Sequence, residues 1–486
     1  MTLKFGTDGW RAEIAKEFTF ENVERMAQAY ADVMKSVGAA PRGRPELNSD
    51  QGRHGGLPLQ PIPIGYDRRF LSPDFAKAFA SVMMANGFKM SLSSHYCPTP
   101  CISWIAKETK APGGVMITAS HNPFQWNGVK FKESYGGSAA PAFTKIVEDK
   151  IDENDRAGKK PQKISIDEIS KSPLYSEFST EKYIGQLRSQ IDLKLIQQSQ
   201  WKIAHDPLFG AGSGYLTKIL EQPITELHGE TNPSFGGLNP EPIEKNLRDF
   251  MTLVKTQSFD VGLATDGDAD RIGAVDEEGN FISPQQIFAL LLKHLAEKGL
   301  RGDVVKTVST THMVDILAKK YNLPVHELPI GFKHICGKFL ETNPLIGGEE
   351  SGGIGIPSHV FERDGLLSGL LLVEMMSVKK KRLGDILKDL TNEIGPFHFI
   401  RDDVHFAESE LLRVKEKITT LQPATLASQK VARVNRMDGI KIYLDDNSWL
   451  LMRLSGTEPL LRIYAEASTL QQSRAMIQNG REFLGI

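Results

Sequence analysis

Hydrophobic and polar positions along this chain follow a repeating order: a short β-branched run, a polar turn, then a stretch of helical period. That order predicts α/β units with parallel strands. The first copy predicts a strand over 61–66 (PIPIGY), a turn at Asp67-Arg68-Arg69 and a helix over 72–86. Ser72-Pro73 reads there as an N-cap followed by proline in the first helical position. Further strands are expected over 89–93 and 114–118. A second copy predicts strands over 201–205, 224–228 and 261–265, with a glycine-rich turn at 209–212 and a helix over 215–220. A third predicts strands over 303–308, 325–328 and 345–347, and a helix over 313–321. Their spacing is too irregular for a solenoid, so the copies read as three similar domains.

In each copy the third strand runs into a polar loop: TASHNP at 118–123, DGDADR at 266–271 and GEESGG at 348–353. Ligands of parallel α/β sheets sit beyond the carboxyl ends of the strands. The three loops are therefore expected to converge on one central cleft. From about residue 396 the pattern changes. Segments 431–436, 439–444 and 449–454 alternate around Asp438-Gly439 and Asp446-Asn447, which predicts antiparallel hairpins. A strand over 462–467 and a helix over 470–484 complete a smaller α+β domain. The Pro/Gly/polar stretch 38–60 reads as a surface insertion. The expected domains are 1–160 with the serine loop, 161–283 with the acidic loop, 284–395 with GEESGG, and 396–486.

Composition narrows the class. The chain has 486 residues, 40% hydrophobic and 24% charged, a globular balance with room for several domains. Its formal net charge is −2, which argues against a basic nucleic-acid footprint covering the whole chain. The longest apolar run, 365–376, is broken by Glu374 and is too short to span a bilayer. No secretory h-region opens the sequence, and three cysteines cannot pair completely, so a reduced cytoplasmic setting is expected.

Asp266, Asp268 and Asp270 place carboxylates at alternate positions of a tight loop, the donor set a hard divalent cation takes, with magnesium the expected ion. An EF-hand does not fit, because Arg271 stands where that loop needs glycine; a solvated acidic turn is the plain alternative. Ser120 follows an apolar strand but lacks the Gly-x-Ser-x-Gly elbow. It reads either as a helix-capping serine or as a phosphoryl carrier, with Lys130 a nearby cation. Glu349, Glu350 and Ser351 offer acceptors for sugar hydroxyls, or form only a polar turn; Lys333 lies just upstream. Arg453, Ser455, Gly456 and Thr457 supply a guanidinium, hydroxyls and flexible backbone suited to a phosphate, with a Ser455-x-x-Glu458 capping box as rival. His95, Cys97 and Cys101 read as a buried turn in preference to a transition-metal site.

GTDGWR (6–11), TASHNP, DGDADR, GEESGG and RLSGTEP (453–459), in this order, resemble the α-D-phosphohexomutase superfamily of phosphoglucomutases and phosphomannomutases from end to end. The resemblance implies three similar α/β domains with mixed sheets and a smaller C-terminal α+β domain around a central cleft. It implies a phosphoryl-carrying Ser120 and magnesium on Ser120, Asp266, Asp268 and Asp270. Arg11, His121, Lys130 and Arg271 would line the transfer site, with Lys130 as acid/base. Lys333, Glu349 and Ser351 would hold the sugar; Arg453, Ser455, Gly456 and Thr457 would hold the phosphate that is not reacting.

The implied activity interconverts glucose 1-phosphate and glucose 6-phosphate through glucose 1,6-bisphosphate, which also activates the enzyme, and a mobile fourth domain would close over the ligand. Phosphomannomutase, dual activity, or glucose-1,6-bisphosphate synthesis from a donor such as fructose 1,6-bisphosphate share every motif. Expected partners are hexose phosphates alone, with no nucleic acid or membrane, in a monomer or homodimer.

Overall fold

A computed structural model of the chain describes residues 3–6, 8–38, 60–454 and 460–486. The insertion expected at 38–60 and the positions Ser455, Gly456 and Thr457 lie outside the described residues, apart from the two ends of the insertion. The chain packs into two compact units, Met1–Phe281 with Ile354–Val378, and Ile282–Gly353 with Lys379–Ile486.

The first unit holds two mixed sheets. In one, Ile62–Tyr66 pairs in parallel with Met90–Ser93 and Gly113–Ile117, and Tyr175–Phe178 adds a parallel edge. Trp126–Glu133 returns antiparallel to Gly113–Ile117 and carries Trp10–Glu13 on its far side. In the other, Ile203–Asp206 is parallel to Thr225–Glu226 and Val261–Thr265, and Ile272–Val275 returns antiparallel to the latter. Gly113–Ile117 and Val261–Thr265 are buried at every position, which is why they read as unbroken apolar runs and not as alternation.

The second unit contains a parallel array of Val325–Leu328, Asp303–Thr307 and Pro344–Gly348. It also holds an all-antiparallel sheet ordered His398–His405, Leu460–Ala467, Trp449–Leu454, Ile440–Leu444, Gln429–Asn435, Thr425–Leu426, with helix Leu470–Leu484 against it. Three α/β repeats and a smaller antiparallel C-terminal domain are thus present. The first sheet takes its edge strand Tyr175–Phe178 from beyond residue 160, and 354–378 packs with the first unit.

One local expectation is corrected. Ser72 is not the N-cap of its helix. Leu71 holds that position at φ 59° without a side-chain cap, and the Ser72 hydroxyl donates to Asp67 Oδ1 at 2.8 Å. The buried Asp67 carboxylate needs donors more than the helix end needs an acceptor. The apolar run at 365–376 lies in helix Gly365–Lys379, buried from Gly365 to Ser377. No helix among the described residues is long and apolar enough to cross a membrane.

That helix is placed by its first residues. Gly365 N donates to the Ala269 carbonyl at 3.1 Å, and a Cβ on Gly365 would collide with the Arg271 carbonyl oxygen. Just upstream, Glu362 forms a fully buried ion pair with Lys132 at 2.5 Å and accepts from the Ser138 hydroxyl at 2.6 Å. Removing one partner of such a pair strands the other charge away from water. Glu362→Gln should destabilise the first unit by about 3–5 kcal/mol in urea unfolding; a loss below about 1 kcal/mol would place the pair in the class of solvent-exposed bridges.

Candidate active site

Ser120 sits three residues beyond the buried strand Gly113–Ile117 and adopts φ 52°, a left-handed conformation uncommon for serine. Its hydroxyl donates to Asp266 Oδ2 at 2.8 Å, joining the serine loop to the acidic loop. The approach is close: a Cβ on Gly267 would collide with the Ser120 carbonyl oxygen. His121 Nδ1 is 3.5 Å from Ser120 Oγ. Burial, then the charges of Arg271, Arg11 and Lys130, hold that imidazole well below its usual range, so it is neutral.

Asp266, Asp268 and Asp270 are fully buried, with one ligand oxygen of each within 4.8 Å of the others. The loop that carries them turns through Ala269 at φ 56°, and Asp266 Oδ1 accepts the amides of Asp270 and Arg271 at 2.9 and 3.0 Å. Burial and the adjacent Asp270 and Asp268 push the Asp266 carboxyl well above the usual carboxylate range. Asp268 behaves oppositely: burial would raise it, but Lys130 and its hydrogen bond hold it below.

The Oδ1 atoms of Asp268 and Asp270 are buried without a hydrogen-bond donor. Unsatisfied carboxylate oxygens grouped in this way are a donor set for a hard divalent ion, so the residues fit magnesium.

Lys130 comes from strand Trp126–Glu133, fully buried, with Nζ 2.8 Å from Asp8 and Asp268 and 3.0 Å from Asp270. Burial alone would lower its pKa; the three carboxylates outweigh burial and raise it, so the side chain is an ammonium. Arg363 reaches Asp8 and Asp270 at 2.5 and 2.7 Å. Burial opposes ionisation of Asp8, but Lys130 and Arg363 carry its carboxyl well below the usual value. Arg11 donates to Asn122 Oδ1 at 2.6 Å, and Arg271 lies 3.3 Å from Glu241 and 3.9 Å from Asp266. The structure thus brings together Ser120, His121, Lys130, Arg11, Arg271 and the three aspartates.

The second unit assembles another group. Lys333 lies in the first turn of helix Phe332–Glu341, preceded by Gly331 at φ 126°. Glu349 Oε1 accepts from Gly331 N at 3.1 Å, and Asp438 Oδ2 accepts from the preceding amide, Ile330 N, at 3.0 Å. Asp438 Oδ1 also holds Arg453 Nε at 2.8 Å. Two acidic side chains therefore grip successive amides and bring Arg453 to the start of the Lys333 helix. Ser351 shares the tight turn of Glu349, closed by Glu349 N to Gly353 O at 3.0 Å. Glu350 Oε2 accepts from Ser309 Oγ at 2.5 Å.

Domain models of the phosphoglucomutase/phosphomannomutase family match the chain at residues 57–158 (α/β/α domain I), 181–279 (domain II), 283–394 (domain III) and 412–479 (C-terminal domain). A Thermococcus kodakarensis phosphoglucomutase/phosphomannomutase is 30% identical over 99% of this chain and 98% of its own length. The chain is a phosphohexomutase family member. A phosphoglucosamine/phosphogalactosamine mutase of Sulfurisphaera tokodaii is 27% identical over 95% of both chains. A solved Thermus thermophilus structure, described as a candidate phosphomannomutase, superposes with TM-score 0.82 at 32% identity over the whole of both chains.

Several residues beside these clusters escape sequence reasoning. Asp8 shares the GTDGWR motif with Arg11, so its position was a signal. Arg363 carried none; only the fold brings it to Asp8. Arg462 is the direct cross-strand partner of Arg453, with its Nε buried and without a partner, an arrangement visible only once the strand register is known.

Because Asp266 holds its proton more tightly than an ordinary aspartate, protons compete for it above the usual carboxylate range. Magnesium affinity, read by calorimetry, should fall as pH drops from neutral to mildly acidic, while a flat profile there would mean that Asp266 takes no part in binding. Gly267→Ala should force the two loops apart and cost about 1–3 kcal/mol in unfolding free energy; unchanged stability would show that the loops separate freely.

Proposed function

We propose that this phosphohexomutase interconverts glucose 1-phosphate and glucose 6-phosphate through a phosphorylated Ser120 and a glucose 1,6-bisphosphate intermediate. The observation that carries this reading is the serine hydroxyl bonded to Asp266 at the edge of a buried acidic triad with two unsatisfied oxygens. The phosphoryl group leaves Ser120 Oγ for the free sugar hydroxyl as one P–O bond breaks and another forms. Lys130, an ammonium at the outset, gives a proton to the departing serine oxygen and is recharged by the proton of the attacking hydroxyl, so atoms and charge balance. The bisphosphate then turns over and gives its other phosphoryl group back to Ser120.

Phosphoserine adds about −1.5 to −2 charge, which Arg11, Lys130 and Arg271 offset while His121 stays neutral. Magnesium, held by Asp266, Asp268 and Asp270, would supply positive charge to offset the negative charge of the phosphoryl group and the departing serine oxygen. Lys333, Glu349 and Ser351 orient the sugar, and Arg453 with the 455–457 segment holds the distal phosphate. Positioning and charge stabilisation are what phosphoryl transfer chiefly demands.

A second reading, a hexosamine phosphate as substrate, is favoured by the Sulfurisphaera relative. Turnover of glucose, mannose and glucosamine 1-phosphates with magnesium, with and without trace glucose 1,6-bisphosphate, separates the readings. Bisphosphate-stimulated turnover fastest on glucose 1-phosphate is expected; faster turnover of the amino sugar would replace it with the second reading. Release of bisphosphate from a fructose 1,6-bisphosphate donor without net isomerisation would make the chain a bisphosphate synthase. Ser120→Ala should abolish turnover while retaining sugar phosphate binding, and substantial mutase activity in that variant would remove the phosphoserine.

A further inference from the structure

We propose that Arg69 is the positioning residue that fixes the phosphoryl-carrying serine in its left-handed conformation, an inference that rests on the phosphoserine reading for its catalytic consequence but not for its geometry. Guanidinium has five N–H donors, and Arg69 places all five. Nε donates to Asp67 Oδ2 at 3.1 Å. Nη1 donates to the carbonyls of Pro123 and Trp126 at 2.8 and 2.9 Å, and Nη2 to those of Ser120 and Asn122 at 2.6 and 2.7 Å. The serine loop curls around one buried cation, which also lies over the Phe235 ring at 5.0 Å.

The amide side of Ser120 is held as firmly. Ser120 N donates to Thr118 Oγ1 at 2.9 Å, and Thr118 Oγ1 donates in turn to Asp67 Oδ2 at 2.6 Å. Asp67 also accepts from Arg69 N and Ser72 Oγ at 3.0 and 2.8 Å. Both peptide groups of Ser120 thus trace back to one Asp67–Arg69 pair, so its sparsely populated φ of 52° is over-determined.

The demand on this device follows from the chemistry. The serine oxygen gains and loses about two negative charges in every cycle, and a loop free to follow that change would swing the oxygen off line. Lysine cannot substitute, because its three donors cannot serve four carbonyls and a carboxylate. Among the described residues neither Asp67 nor Arg69 hydrogen-bonds to the acidic triad, although the Arg69 guanidinium and the Asp268 carboxylate interact through their charges.

The test compares wild type with Arg69→Lys and with Asp67→Asn, which keeps the arginine should the first variant fold poorly. Amide hydrogen exchange of 118–127 reports the clamp without reference to phosphorylation; protection there should fall in both variants while the rest of the first sheet keeps its own. Unchanged exchange in the loop, or loss spread through the whole sheet, would overturn the proposal. Intact-mass kinetics after mixing with glucose 1,6-bisphosphate should show Ser120 charging slowed on the order of 10²-fold, with glucose 6-phosphate binding within a factor of about 3. Charging at the wild-type rate, or a parallel loss of binding, would also overturn it. A wild type that never charges Ser120 would remove the phosphoserine reading, and the exchange result would still decide the clamp.

Discussion

Three aspartates shut away from water in one loop are tolerable only with positive charge against them, and the wiring of the first unit follows from that need. Full desolvation of a carboxylate costs several kcal/mol, so the strand Trp126–Glu133 delivers a buried lysine and the returning segment delivers Arg363. Even so the cluster is not satisfied: Asp266 is pushed towards its neutral form and two carboxylate oxygens have no donor. That residual strain is what makes the loop receptive to a divalent ion. A fully paired cluster would be more stable and chemically inert. The glycines at 267 and 365 belong to the same constraint, since each permits a backbone approach that any side chain would block.

The repeat and the loops were legible because each rests on local rules: buried strands of β-branched residues, polar turns after them, and hairpin signals such as Asp438-Gly439, where Gly439 has φ 84°. Strand Val261–Thr265 and helices Tyr215–Leu220 and Leu470–Leu484 match the expected ranges. Trp126–Glu133 was not legible, and the reason is chemical. Its inward positions include Lys130 and Lys132, so the polarity pattern that normally marks a solvent face is inverted by carboxylates arriving from elsewhere. Helix Gly365–Lys379 is apolar all round and therefore has no face to read. Ser72 shows that local capping rules yield when a buried acid nearby needs a donor.

Site residues divide the same way. Ser120, His121 and the aspartates sit in contiguous motifs, so short-range sequence was enough to nominate them. Their partners did not: Arg363 meets Asp8 across 355 positions, and Glu362 meets Lys132 across 230. Such pairings depend on topology, and only the folded chain supplies it. In the second unit the Asp438 bridge between Arg453 and Ile330 is of this kind, whereas Glu349 and Lys333 could be named from the sequence alone.

The route of the chain has a temporal consequence. It leaves the first unit at Phe281 and does not return until Ile354, so Glu362, Arg363 and the helix Gly365–Lys379 are synthesised long after the strands they complete. At roughly 5–20 residues per second, the ribosome takes on the order of 5–20 s to supply them. Through that interval Lys132 lacks its acid, and Asp8 and Asp270 lack their arginine. The nascent first unit therefore carries these charges without their partners until residue 378 has emerged.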